Sequence, residues 1–168
     1  MPLRKGKTWN YKASLHFQEI TTKIKVVGTI PVGNGSGWQL ESGMGNSRMA
    51  WNNGQLVASE LSGTRYDPPL VLLAPDSIKT PLSWSGRVFA SGVEYDGKAT
   101  LRQENLTKKK DQIEIGGIKY SAIKCRHEIM IGETKVELTT WFSPGIGIIR
   151  QEQTRDGDLV PSLEYIGE

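Results

Sequence analysis

Thr8-Trp9-Asn10-Tyr11-Lys12-Ala13-Ser14-Leu15-His16-Phe17 decides the fold class. Its apolar members Trp9, Tyr11, Ala13, Leu15 and Phe17 alternate with Thr8, Asn10, Lys12, Ser14 and His16. Successive side chains leave a strand on opposite faces, so the segment is a half-buried strand with a broad aromatic face. Downstream, Ile24, Val26 and Ile30 share one face of a second extended run, and Lys23, Lys25 and Thr29 share the other. Pro31 ends that run in this reading, because it has no N–H to give to a ladder.

Working outward, the chain is punctuated by turns. Asn53-Gly54 predicts a type I′ hairpin, which needs φ > 0 at both central residues, with Gln55 to Leu61 as its return arm. Asp96-Gly97, Gly116-Gly117, Gly132-Glu133 and Asp156-Gly157 read as further turns between β-branched or alternating segments such as 117–131 and 134–142. Residues 33–37 read as a glycine loop, and Pro144-Gly145 as a type II turn with φ > 0 at Gly145. No amphipathic helix of ten or more residues is visible. The prolines of 66–75 resist both helix and central strand, so this stretch reads as a crossover. Short strands broken this often favour an antiparallel meander over βαβ units.

Composition sets the bounds. A chain of 168 residues fits one domain and buries enough surface to hold a core without disulfides. The net charge of +3, from 21 basic and 18 acidic side chains, is too small for a nucleic-acid partner. Lys108-Lys109-Lys110 reads as a solvated loop. Cys125 is the lone cysteine, which excludes an internal disulfide. No stretch approaches the ~18 apolar residues of a membrane-spanning helix, and no apolar run follows the basic start, so no signal peptide is expected within this chain. Residues 3–11 and 78–86 each place an apolar residue six positions before a tryptophan, Trp9 and Trp84. That echo is compatible with a duplication, with halves 1–66 and 76–168 joined by the proline-rich crossover, though one short match is all that carries it.

Four segments carry a family resemblance. PLRKGKTWNY (2–11) is similar to the PLxxGxxWxY start of many bacterial envelope proteins. PPLVLLAPDSIKTPLSWSG (68–86) resembles their second such element, with Pro81 in place of the glycine region. GGIKYSAIKC (116–125) resembles their hairpin, and TWFSPGIGIIRQE (140–152) their TWYAPGVGLVRxE signature. These secreted or lipid-anchored domains resemble the half-barrel lipoprotein carriers of the LolA and LolB type. The resemblance implies a strongly curved antiparallel sheet and an extracytoplasmic location. It assigns no reaction, and no lipid-anchoring cysteine stands at the start. The expected fold is therefore all-β: a single curved antiparallel meander over 1–168, a half-barrel or open barrel of about ten strands with little or no helix.

Candidate sites are few. Cys125 and His127 share one face of a strand with Ile123, Ile129 and Ile131. They form either a thiolate–imidazole pair or a buried cysteine beside a hydrogen-bonded core histidine, and the second reading is preferred. Zinc needs three or four ligands, and only His16, on the polar face of its strand, is left to add imidazole. Glu94 with Asp96, and Asp156 with Asp158, belong to turns. No phosphate loop or GxSxG elbow is present. Five tryptophans fill the core or line a concave sheet. The candidate ligand-contacting set is Trp9, Tyr11, Trp84, His127 and Trp141, with no catalytic residue, metal or cofactor assigned. The expected function is a non-catalytic envelope binding or carrier domain for an apolar or amphipathic molecule. The alternative is an interaction module that meets an envelope protein through a sheet face or edge.

Overall fold

The computed structural model describes residues 1–15, 18–75, 77–106 and 112–168; His16 and Lys108-Lys109-Lys110 lie outside them. Every regular element described is a strand. The first half of the chain supplies β1 (Thr8–Leu15), β2 (Gln18–Val32), β3 (Gly35–Glu41), β4 (Ser47–Asn52), β5 (Gln55–Leu61) and β6 (Thr64–Leu73). Then come β7 (Leu82–Ala90), β8 (Val93–Leu106), β9 (Ile113–Ile115), β10 (Ile118–Tyr120), β11 (Ala122–Ile131), β12 (Thr134–Ser143), β13 (Gly147–Arg155) and β14 (Asp158–Gly167).

Twelve strands close into one barrel in the order β1-β14-β13-β12-β11-β8-β7-β6-β5-β4-β3-β2, while β9 and β10 form a separate hairpin. The antiparallel meander is as expected; the half-barrel of about ten strands is not. Closure is made by β1, whose Tyr11 stands opposite Thr22 of β2 on one edge and Tyr165 of β14 on the other. A period-two row reports that a segment is extended, not which distant edge it meets. Joining the two ends of the meander removes the free edges that an open sheet would expose.

The turn signals fared unevenly. Asn53 and Gly54 have φ of 49° and 76°, as a type I′ hairpin requires. At the Pro144-Gly145 corner, φ is 77° at Gly145 and the Ile146 N–H donates to the Ser143 carbonyl at 3.3 Å. Asp96-Gly97, by contrast, lies inside β8, and the turn before it is Ser91-Gly92, with φ of 51° and 79°. Gly97 is required by packing: a Cβ there would sit 2.5 Å from Val88 Cγ2 and 3.0 Å from Trp84 Cζ3. Residues 33–37 are a two-residue turn followed by β3, and Pro31 stays within β2, opposite Ser36. The segment 117–131 divides into β10 and β11.

The proline-rich stretch is mostly strand β6 rather than a crossover. Its prolines are tolerated because Pro68 and Pro69 fall in a break of the β5–β6 ladder, between Glu60↔Arg65 and Ala58↔Leu70. On the other side β6 meets β7 only through Arg65, Tyr66 and Asp67. Inside the barrel, Trp9, Tyr11, Val26, Leu40, Leu56, Leu70, Val88 and Ile129 are fully buried. The outer faces carry charge ladders, among them Lys135–Glu137 at 2.6 Å and Arg150–Glu152 at 2.5 Å. Such exposed pairs add little to stability, because water and salt screen them.

Candidate functional site

Because the barrel strands run up and down, the turns segregate to two ends. One end carries the β3–β4, β5–β6, β7–β8, β11–β12 and β13–β14 turns, and it is hollow. A cavity of about 370 Å³ opens there, walled by Leu40, Met49, Leu61, Ile129, Leu138 and Leu163. That volume lies within the range of small-molecule sites. Hydroxyls of Ser42, Ser62, Thr64, Ser91 and Thr134 surround the cavity near these turns.

The inner face of β13 changes character along its length. Ile148 lies at the base of the cavity, followed toward the mouth by Gln151, Gln153 and Arg155. Their partners on β12 are Thr140, Leu138 and Val136, all buried, so the register turns this polar row inward. Gln151 Nε2 donates to Thr140 Oγ1 at 3.2 Å. Glu41 alternates with buried Leu40 yet borders the cavity, and its Oε1 accepts from Gln39 Nε2 at 3.1 Å. Asp158 stands opposite Arg155 in the turn and does not line the cavity. Among the described residues, the charged side chains on the lining are Glu41 and Arg155, both exposed at the mouth, and Met1, whose amino group is partly desolvated, lies on the lining as well.

The other end is packed shut. Trp9 Nε1 donates to the Ile146 carbonyl at 2.7 Å, and the Tyr11 hydroxyl to the Ile148 carbonyl at 2.8 Å. The part of β6 beyond its pairing with β7, and Ala74 after it, meet side chains instead of a neighbouring strand, since buried backbone polar groups must find partners. Trp84 Nε1 donates to the Pro68 carbonyl at 3.0 Å. Gln103 grips Ala74 twice, accepting from its N–H and donating to its carbonyl, both at 3.0 Å. His127 Nε2 lies 2.8 Å from the Val71 carbonyl. A carbonyl only accepts, so Nε2 carries the proton and Nδ1 is a bare acceptor with no partner.

The five sequence-nominated residues therefore separate. Trp9, Tyr11 and His127 face the interior, and of these Tyr11 borders the cavity. Trp84 is half-buried, edge-on to Tyr66 with ring centroids 5.9 Å apart. Trp141 does not join them. Opposite Lys124 and Arg150 in register, it faces outward with their cations 5.3 and 5.5 Å from its ring. There it packs with Ile115, Ala122, Ile149 and the β9–β10 hairpin.

Cys125 and His127 do share an interior face, but their chemistry is quiet. Burial pushes the Cys125 thiol up to about 12, far from a thiolate at neutral pH. Burial also holds the His127 imidazole below its ordinary value, with the hydrogen bond to Val71 opposing part of the shift. The thiol contacts Gln103 Oε1 at 3.8 Å. Sequence reasoning passed over Gln103, Gln151, Gln153 and Arg155. The spacing of 151, 153 and 155 was a usable signal, yet Arg150, Glu152 and Thr154 between them are also polar, so neither face declared itself inward.

Fold and site together define a class: a closed twelve-strand antiparallel barrel, packed at one end and hollow at the other. No protein-family model matches the chain, and no curated protein matches it. Among solved structures it is similar to a "putative lipoprotein" of Parabacteroides distasonis ATCC 8503, with a TM-score of 0.58 and 12% identity over 98% of this chain and 95% of that one. A "putative exported protein with YmcC-like fold" of Bacteroides fragilis NCTC 9343 superposes with a TM-score of 0.49 and 13% identity, over the same shares. At 12% identity, what the first likeness shows is a shared fold.

Proposed function

We propose that this protein is a non-catalytic binding or carrier domain of the bacterial cell envelope that takes an apolar or amphipathic molecule into the hollow end of its barrel. The observation that carries this reading is the cavity: apolar walls, a polar row on one strand, and a mouth at one end. Filling it with hydrocarbon gains roughly 0.8 kcal/mol per buried methylene. The envelope assignment draws on the PLxxGxxWxY and TWYAPGVGLV-type segments and on the fold shared with the Parabacteroides "putative lipoprotein". No helix of the structure is long and apolar enough to cross a membrane. The barrel wall argues against insertion by strands, because charges face out and apolar side chains face in, the reverse of a membrane barrel.

An interaction module built on a sheet edge has less to stand on. β1 and β14 pair with each other, and the part of β6 beyond its pairing with β7, with Ala74 after it, is met by Trp84, Gln103 and His127. The test is a titration with dodecanol, read by intrinsic tryptophan fluorescence and by native mass spectrometry. The proposal expects saturable one-to-one binding that Leu138→Phe, which intrudes on the cavity, abolishes without unfolding the barrel. Absence of binding, or equal binding by the filled variant, refutes it.

A further inference from the structure

The cavity has a direction, and the direction names a ligand class. Its deep end is lined mainly by apolar side chains, Tyr11, Ile148 and Met1 beneath Leu40, Met49 and Ile129. Its polar groups rise along one strand in the order Gln151, Gln153, Arg155, ending at the mouth. Amide side chains on an inner wall cost free energy unless they find partners. Gln151 has Thr140, whereas Gln153 makes no side-chain hydrogen bond among the described residues. Two acidic groups at this end have partners: Glu41, on the lining, accepts from Gln39, and Asp156 accepts from the Lys135 N–H at 2.9 Å.

Resting on the cavity reading above, we infer that the site takes a single-chain anionic amphiphile tail-first, with Arg155 and Gln153 receiving its carboxylate or phosphate head at the mouth. A guanidinium offers a fork of donors matched to such oxygens, and an amide N–H₂ beside it adds another. A cationic head would meet Arg155 as a like charge, and a hydroxyl head could accept only a single, weaker hydrogen bond from the fork.

The experiment compares three ligands with one tail, dodecanoate, dodecanol and dodecyltrimethylammonium, at monomeric concentrations on the full chain. Dodecanoate is expected to bind about tenfold more tightly than dodecanol, the low end for a charge-assisted hydrogen bond at a partly solvated site. Dodecyltrimethylammonium is expected to bind more weakly than dodecanol. Arg155→Gln should remove the dodecanoate advantage over dodecanol, while Arg155→Lys keeps part of it. Each methylene taken from the tail should weaken binding about fourfold. Inorganic phosphate should not displace dodecanoate; if it does so at low millimolar concentration, the site is a simple anion site and the amphiphile assignment falls. Equal affinity for the three heads, or an unchanged preference in Arg155→Gln, overturns the head-group inference and leaves the cavity reading standing. Failure of all three to bind overturns both.

Discussion

The two ends of this barrel are made of the same strands and serve different purposes. At the packed end interior side chains are tied to backbone groups, Trp9 to Ile146, Tyr11 to Ile148, Gln103 to Ala74 and His127 through Nε2 to Val71, with His127 Nδ1 left unpartnered. At the hollow end Gln153 and Arg155 hold no such tie among the described residues, and about 370 Å³ is open beside them. Buried polar groups that complete one another rigidify a core. Polar groups facing an open cavity are available to a guest. The contrast teaches that stability and binding are divided along the barrel axis, so substitutions at the two ends should produce opposite signatures.

The strongest way to break that division is Trp9→Ala. Removing a fully buried indole and its hydrogen bond should cost about 3–5 kcal/mol in urea unfolding. A loss below about 1 kcal/mol would mean that the end is not packed as described. Gln103→Ala comes next. It strands the N–H and carbonyl of buried Ala74, and an orphaned buried group costs about 1–3 kcal/mol; full retention of the urea midpoint would contradict the tie to Ala74.

Titration gives a smaller, signed effect. His127 is held neutral in the fold below its ordinary value of 6.5, so the unfolded chain takes up a proton first. Stability should therefore fall as pH drops below 6.5 toward the depressed folded value. Cys125 has the opposite sense: raised from 9.0 to about 12, it should cost stability as pH rises between those values. Urea midpoints across both windows check the pair, and His127→Gln should flatten the acid limb alone. At the small end, Gln153→Ala in the hollow half should shift stability by no more than about 0.5 kcal/mol. A loss as large as that of Gln103→Ala would erase the distinction between the ends.

Much of the architecture was legible from residue order. The alternation of Trp9, Tyr11 and Ala13 predicted an inward aromatic face, and these three are fully buried. Asn53-Gly54 and Pro144-Gly145 formed their expected turns because backbone sterics act locally. Asp96-Gly97 misled because glycine serves two purposes: it permits φ > 0, and it also admits a close neighbour, here Val88 and Trp84. Trp141 misled for a related reason. Burial too has two sources: plain alternation along β12 turns Trp141 outward, opposite Lys124 and Arg150, and the β9–β10 hairpin buries the indole there.

Local order determined that this chain is extended nearly throughout, where several of its turns fall, and that Cys125 and His127 share an inner face. Those properties depend on side-chain periodicity and on φ/ψ preferences that span a few residues. Only the tertiary structure decided that β1 closes on β14, that Gln103 and His127 satisfy a strand from across the interior, and that Gln151, Gln153 and Arg155 line a cavity. Each of these is a meeting of segments far apart in the chain. Which edges meet depends on the closure of the whole sheet, and no local pattern encodes it.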